Sequence, residues 1–217
     1  MQVEEKFLTI GPDDAEFSIL LAHGAGAPMD SASMNALAET LADAGFRVGR
    51  FEFGYMAERR RSGRRLPAPR AETLIPEYLA AVTQFATSGP VIIGGKSMGG
   101  RVASMVADQL YVAGSIAGLL CLGYPFHPIG KPAQLRTTHL QALKTPTLIC
   151  QGTRDPFGSL EEVQDYALSA QISLFWLDDG DHDFRPRKAV SGFTLAAHLQ
   201  SLSSRVSAWI ANLRPAA

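Results

Sequence analysis

Short apolar runs alternate along this chain with longer segments whose apolar positions recur every three or four residues. FSILLA (17–22), FRVGRFEF (46–53), PVIIGG (90–95), IAGLLCLGY (116–124), TPTLICQG (145–152) and ISLFWLD (172–178) read as strands. SASMNALAETLADAG (31–45), which closes on Gly45, reads as a helix, as do ETLIPEYLAAVTQFA (72–86), MGGRVASMVADQL (98–110) and TLAAHLQSLSSRVSAWIANL (194–213). Strands that are apolar throughout, rather than at alternate positions, predict a mostly parallel sheet with helices on both faces. The strand ending near Tyr124 and the next one starting near Thr145 leave room for a helix but for no inserted cap, so little or no lid is expected. No repeat or linker interrupts the pattern, and residues 1–217 are expected to form a single α/β domain.

Composition narrows the function classes. A chain of 217 residues with 46% hydrophobic and 19% charged residues can bury a core without staples, which excludes disorder and a coiled coil. Lys plus Arg number 20 against 21 Asp plus Glu, so the basic excess usual for nucleic-acid binding is missing. The run VAGSIAGLLCLGYPF (112–126) is too short to span a bilayer. MQVEEKFLTI lacks the apolar centre of a secretory leader, and a cytoplasmic location with no membrane partner is expected. Cys121 and Cys150 each sit inside an apolar run and are expected as buried free thiols. ERRRSGRRLPAPR (58–70), broken by Pro67 and Pro69, is expected as a solvated surface loop.

The chemistry concentrates where strands end. Gly95-Lys96-Ser97-Met98-Gly99 fits G-x-S-x-G, follows the apolar VIIG and precedes a helix-like segment. That is the context of a nucleophile elbow, in which a Ser occupies a strained strand-to-helix turn and small neighbours avoid collision. A phosphate-binding reading of GGKS fails, because Pro90 stands where the first Gly of that motif would fall. A Ser nucleophile needs a base and a carboxylate that orients it. Asp155, in GTRDP after one strand, and His182, in GDHD after the next, follow Ser97 in the order Ser, Asp, His and at the same sheet edge. His127 and His139 would invert that order, and His198 falls mid-helix, where a surface position is expected.

His23 opens the strand-end loop HGAGA, the usual source of a second oxyanion donor. The N–H groups of Ala25 and Met98 are the candidate donors, and His23 itself is expected to brace the loop. His23, Lys96, Tyr124, His127 and Arg154 are the further candidates for touching substrate. Asp181 and Asp183, flanking His182, read as loop-shaping. The Cys and His residues lack ligand spacing and DDGDHD (178–183) lacks the EF-hand arrangement, so no metal and no cofactor are expected.

HGAGAPMDS (23–31), RFEFGYM (50–56), GGKSMGGRVAS (94–104), CLGYPFHPIGKP (121–132), QGTRDPFG (151–158) and GDHDFRPRK (180–188) resemble the small α/β hydrolases related to dienelactone hydrolase. More narrowly they resemble the branch that includes testis-expressed protein 30. The resemblance implies an α/β-hydrolase fold with Ser97, Asp155 and His182 as the triad. The chain departs from dienelactone hydrolase itself, which uses a Cys nucleophile where Ser97 stands. Residues and resemblance together predict a serine hydrolase of a small carboxylic ester, thioester or lactone, working through an acyl-enzyme. The competing class is a non-catalytic binding or scaffold protein on the same fold. Lys96, Arg154, Arg185, Arg187, Lys188 and the 58–70 segment could converge at one sheet edge and favour an anionic substrate. The alternative is that they pair with Glu52, Glu58, Asp181 and Asp183.

Overall fold

The computed structural model describes residues 7–64, 66–85, 87 and 89–213. In chain order its strands are β1 (Phe7–Ile10), β2 (Ser18–Ala22), β3 (Arg47–Phe51), β4 (Val91–Lys96), β5 (Gly118–Leu122), β6 (Thr147–Gly152) and β7 (Ile172–Leu177). The helices are α1 (Ala32–Asp43), α2 (Gly54–Ser62), α3 (Ile75–Gln84), α4 (Met98–Val112), α5 (Leu160–Val163), α6 (Lys188–Ser191) and α7 (Leu195–Ile210). The strands form one sheet in the order β1-β3-β2-β4-β5-β6-β7. Only the edge pair β1–β3 is antiparallel; β2 through β7 run parallel.

Both sheet faces are covered, which explains why the central strands are apolar throughout. Leu20, Ile93, Leu119 and Ile149 face α3 and α4 and pack on Tyr78, Val102 and Val106. Their neighbours Ile19, Ile92, Leu120 and Leu148 face the other way, toward Met34 and Leu37 of α1 and Leu202 and Trp209 of α7. The same alternation puts Cys121 on the first face and Cys150 on the second. Both are buried free thiols, and the sheet lies between them. Burial pushes the Cys150 thiol up to about 12 and the Cys121 thiol higher still.

Caps set the helix limits. Ser31 accepts from the Met34 N–H at the start of α1, and Thr194 accepts from the Ala197 N–H at the start of α7. Tyr78 on α3 is fully buried, and its hydroxyl both donates to the Gly94 carbonyl (2.7 Å) and accepts from the Gly94 N–H (3.0 Å). A buried phenol needs such partners, and here they anchor β4 just before Ser97.

The structure revises several expectations. The first part of the Arg-rich segment is not a loop but α2, which opens with the Gly54 N–H on Glu77 Oε2 (2.6 Å) and closes on left-handed Gly63. Pro67 and Pro69 fall after it. The helix expected over 72–86 is a 3₁₀ turn, Ala71–Leu74, followed by α3, and residue 86 lies outside the described residues. Between β5 and β6 the structure holds only the 3₁₀ turn Thr138–Leu140 instead of a helix. Tyr124, Phe126, Leu140 and Leu143 from this connection are buried and cover the sheet in its place. No cap is inserted there. Among the described residues, no helix is long and apolar enough to cross a membrane.

Candidate active site

Ser97 sits between the last residue of β4 and the first of α4, at φ 53° and ψ −116°. That left-handed conformation is strained for a residue with a Cβ, and it lifts the side chain off the end of the sheet. The turn fits only because its neighbours lack side chains. A Cβ on Gly95 would stand 2.5 Å from the Ala22 carbonyl oxygen, and one on Gly99 would stand 2.3 Å from the same atom. The Ser97 N–H is tied to the Leu122 carbonyl of the adjacent strand (3.0 Å).

Asp155 and His182 follow β6 and β7, and parallel pairing of these strands brings the two loops together. His182 Nδ1 donates to Asp155 Oδ2 at 2.7 Å. Asp155 is fully buried and accepts two further hydrogen bonds, from Gln151 Nε2 (2.9 Å) on Oδ2 and from the Phe157 N–H (2.9 Å) on Oδ1. The Phe157 ring lies against the imidazole, with centroids 4.4 Å apart. With Nδ1–H committed to the carboxylate, the lone pair of the neutral ring is on Nε2. Ser97 and His182 line one open cleft of about 240 Å³, together with Gly24, Ala25, Lys96 and Phe157. A larger hollow of about 800 Å³ lies at the other end of the sheet, beside Phe17, Val82, Pro90 and Ile116. Its lining holds no nucleophile–base pair, so the chemistry belongs to the smaller cleft.

The loop after β2 passes beside Ser97: a Cβ on Gly24 would stand 3.6 Å from Ser97 Cβ. His23 is fully buried beneath this loop. Its Nε2 accepts from the Phe53 N–H (3.1 Å), so Nδ1 carries the proton and donates to the Gly24 carbonyl (2.7 Å). Burial pulls the His23 imidazole below its ordinary value, which keeps that neutral tautomer. The Ala25 carbonyl accepts from the Tyr55 hydroxyl (3.1 Å) and from Arg59 Nη1 (3.2 Å), whose guanidinium covers the Tyr55 ring. Opposite this loop, the first N–H groups of α4, starting at Met98, have no partner within the helix.

Several expected substrate contacts turn inward instead. His23 is enclosed, as described above. Tyr124 is fully buried, with its hydroxyl donating to the Arg136 carbonyl (3.2 Å). His127 is buried as well, with Nδ1 on the Pro128 carbonyl (2.9 Å) and Nε2 on Glu162 (3.3 Å). Arg154 is turned onto Asp179 (2.7 Å). Of the five, Lys96 alone lines the cleft. His198 is not at the surface: it is buried, and Nδ1 donates to the Phe184 carbonyl (2.8 Å).

The basic side chains are largely answered by acids. Arg60 pairs with Asp30 (2.8 Å) and Glu52 (2.9 Å), Arg61 with Glu58, and Lys96 with Asp183 (3.4 Å). Asp179 receives Arg154 Nε (2.7 Å), Arg187 Nε (2.8 Å) and the Arg187 N–H (2.6 Å). Arg187 above all holds its carboxyl far below the usual carboxylate range. Asp181 does shape its loop, accepting from the N–H groups of Asp183 (2.8 Å) and Arg185 (2.9 Å).

Sequence reasoning missed Gln151, Phe157 and Asp179. Gln151 is a fully buried amide whose Oε1 accepts from the Tyr124 N–H (2.7 Å) while Nε2 serves Asp155. The signal that could have found it is an amide side chain near the end of a strand that is apolar over 148–150. Among the described residues, no cluster of His, Cys, Asp and Glu could hold a metal ion.

Known proteins resemble this chain in sequence and in fold. The chain is 29% identical over 149 residues to the putative protein-lysine deacylase ABHD14B of Pongo abelii, a match covering 68% of this chain and 66% of that protein. It thus spans just under two thirds of that relative's length. Dienelactone hydrolase from Anabaena variabilis superposes with a TM-score of 0.70 at 22% identity, over 96% of this chain and 92% of that one. XC6422 from Xanthomonas campestris, a serine hydrolase without lid, superposes at 0.61 with 16% identity, over 97% and 90%. Residues 15–211 match the family described as alpha/beta hydrolase domain, and the chain belongs to that family.

Proposed function

We propose that this protein is a serine hydrolase of small carboxylic esters, thioesters or lactones, with Ser97 as nucleophile, His182 as base and Asp155 as its orienting acid. The observation that carries the reading is the buried 2.7 Å Asp155–His182 pair, set in one cleft with a Ser at a strained elbow. Ser97 Oγ attacks the acyl carbon as His182 Nε2 takes its proton, and the carbonyl π electrons move onto oxygen. The N–H groups of Ala25 and Met98 stabilise that oxyanion. Collapse expels the alcohol, thiol or ring oxygen, which takes the proton from His182 and leaves an acyl-serine. Water, deprotonated by the same imidazole, attacks the acyl-serine; collapse then frees the acid and returns the proton to Ser97.

A cleft of about 240 Å³ with no cap over it suits small substrates rather than long lipids. The likeness to a putative protein-lysine deacylase supports a second substrate type, an acyl group carried on a lysine amine. Arg59 donates to the Ala25 carbonyl beside the cleft, and its charge is one feature that would favour an anionic substrate. Membership of the branch with testis-expressed protein 30, a single domain over 1–217 and a cytoplasmic setting belong to the same proposal.

The test is fluorophosphonate labelling beside turnover of p-nitrophenyl acetate and butyrate and of acyl-lysine peptides. Wild type should be labelled and should turn over at least one of these substrates. Ser97→Ala should lose both properties, with kcat falling on the order of 10⁶-fold. Turnover retained in Ser97→Ala would remove the nucleophile assignment, and an unlabelled, inactive wild type would favour the scaffold class.

A further inference from the structure

Lys96 is charged, yet it is the last residue of an otherwise apolar strand. Strand alternation sends its side chain to the α1/α7 face, where only 7% of it is exposed. A buried ammonium is costly unless it is well partnered. Its Nζ donates to the main-chain carbonyl of His182 at 2.7 Å and pairs with Asp183 at 3.4 Å. It also lies 5.8 Å from the centroid of the Phe184 ring. A Cβ built on left-handed Gly123 would stand 3.1 Å from Lys96 Nζ and 3.0 Å from the His182 carbonyl oxygen, so the turn after β5 has room for this contact only because it carries no side chain there. Asp155, from the loop after β6, and Asp181 also act on the ammonium, and Arg185 shares with it the lining of a small hollow of about 130 Å³ against α1 and α7.

We infer, building on the hydrolase reading above, that Lys96 is a positioning residue: it holds the backbone of His182 as Asp155 holds its ring, and the two together set the imidazole relative to Ser97. One anchor on Nδ1 leaves the ring free to swing about that bond. A second anchor on the carbonyl removes this freedom, and misplacement of a base by about 1 Å can cost 10²-fold in rate.

Two variants separate the anchor from the bulk of the side chain. Lys96→Met keeps the apolar stem and removes the donor, whereas Lys96→Gln keeps an N–H donor for the carbonyl. Lys96→Met should lower kcat/KM for p-nitrophenyl butyrate by about 10²-fold, mostly in kcat and with KM little changed. Lys96→Gln should recover most of kcat. The rate of fluorophosphonate labelling gives the same readout without turnover, and if Lys96→Met does not fold, Lys96→Leu takes its place. Lys96→Met within twofold of wild type overturns the inference, as does an equal loss in Lys96→Gln or a loss carried in KM rather than in kcat, which a merely structural lysine would give. Ser97→Ala run in parallel keeps the two readings apart: activity that depends on Ser97 but not on Lys96 rejects only the positioning role.

Discussion

Replacing Asp155 by Asn tests how the acid works, because its three contacts all arrive as donors. His182 Nδ1 and Gln151 Nε2 share Oδ2, and the Phe157 N–H takes Oδ1. An amide has one oxygen, so one side of the site must face a second donor. Gln151 cannot turn to help, because its Oε1 is held by the Tyr124 N–H and its Nε2 also reaches the Tyr124 and Gly158 carbonyls (3.1 and 3.2 Å). Placing the Asn oxygen toward His182 and Gln151 keeps two bonds, whereas the reverse keeps one. The first orientation should win, leaving Asn Nδ2 against the Phe157 N–H in a fully buried spot. The unmet donors there cost about 1–3 kcal/mol, or a melting temperature lower by about 2–12 °C at this chain length. The tautomer that keeps the Nε2 lone pair survives, but the charge that supports the imidazolium does not. At about 4 Å and an effective dielectric near 20 that charge is worth about 4 kcal/mol, against about 1 kcal/mol for the neutral hydrogen bond that replaces it. The balance, about 3 kcal/mol, corresponds to a fall in kcat/KM of about 10²-fold. Steady-state kinetics with p-nitrophenyl butyrate and a thermal melt measure both quantities. A loss near 10⁴-fold would mean that the amide had turned and imposed the wrong tautomer; a loss below tenfold would remove Asp155 from the mechanism.

Other perturbations follow from the same geometry. Gly99→Ala drives a Cβ to within 2.3 Å of the Ala22 oxygen and 2.7 Å of the His23 oxygen, both main-chain atoms. It should destabilise by about 3 kcal/mol or more and disturb the loop beside Ser97; an unchanged denaturation midpoint would contradict the tight elbow. Ser97→Ala should leave the melting temperature within about 2 °C of wild type, since surface changes usually stay within about 0.5 kcal/mol, and a large drop would show that the serine also braces the fold. Asp179→Asn should weaken the fold through its two arginines. Because the folded-state carboxyl lies below its unfolded value, the contribution is complete above about pH 4 and fades as pH falls toward the depressed value. Chemical denaturation of both proteins at pH 7 and pH 3 should therefore show a wide gap narrowing with acid, and a gap that widens at pH 3 would reverse the sign.

The sheet and the candidate triad were legible for one physical reason. Parallel strands buried on both faces must be apolar along their length, so any Ser, Asp or His just beyond such a run is conspicuous and lies at a known edge. The parts that escaped lack that contrast. β1 is a four-residue edge strand and too short to show a period. α2 buries only Met56 and is held by polar contacts, such as Glu77 on its first N–H and Arg60 on Asp30 and Glu52, so no apolar stripe announces it. Single-residue patterns also could not show that the connection after β5 folds its aromatics onto the sheet in place of a helix. That packing buries Tyr124 and His127, two residues that by position alone faced the cleft.

The residues that support the candidate triad share a different signature, one visible in the sequence once its meaning is known. Lys96 closes β4, Gln151 stands one residue before the end of β6, and Asp179 follows β7 by two residues. Lys96 and Gln151 each stand in a largely apolar strand, and Asp179 lies in the turn just after one. Each is buried, and each ties to a neighbouring strand-end loop: Lys96 to the His182 carbonyl, Gln151 to the Tyr124 N–H and Asp179 to Arg154. The polar cost of such positions is met by hydrogen bonds both between loops and within them, since Gln151 also serves Asp155 and Asp179 also holds Arg187. β4, β6 and β7 thus carry not only the three groups that would react but also the polar ties that fix the distances between them. A buried polar residue at a strand end marks such a tie, and the chemistry should be sought just beyond it: Ser97 follows Lys96 by one residue, His182 follows Asp179 by three and Asp155 follows Gln151 by four.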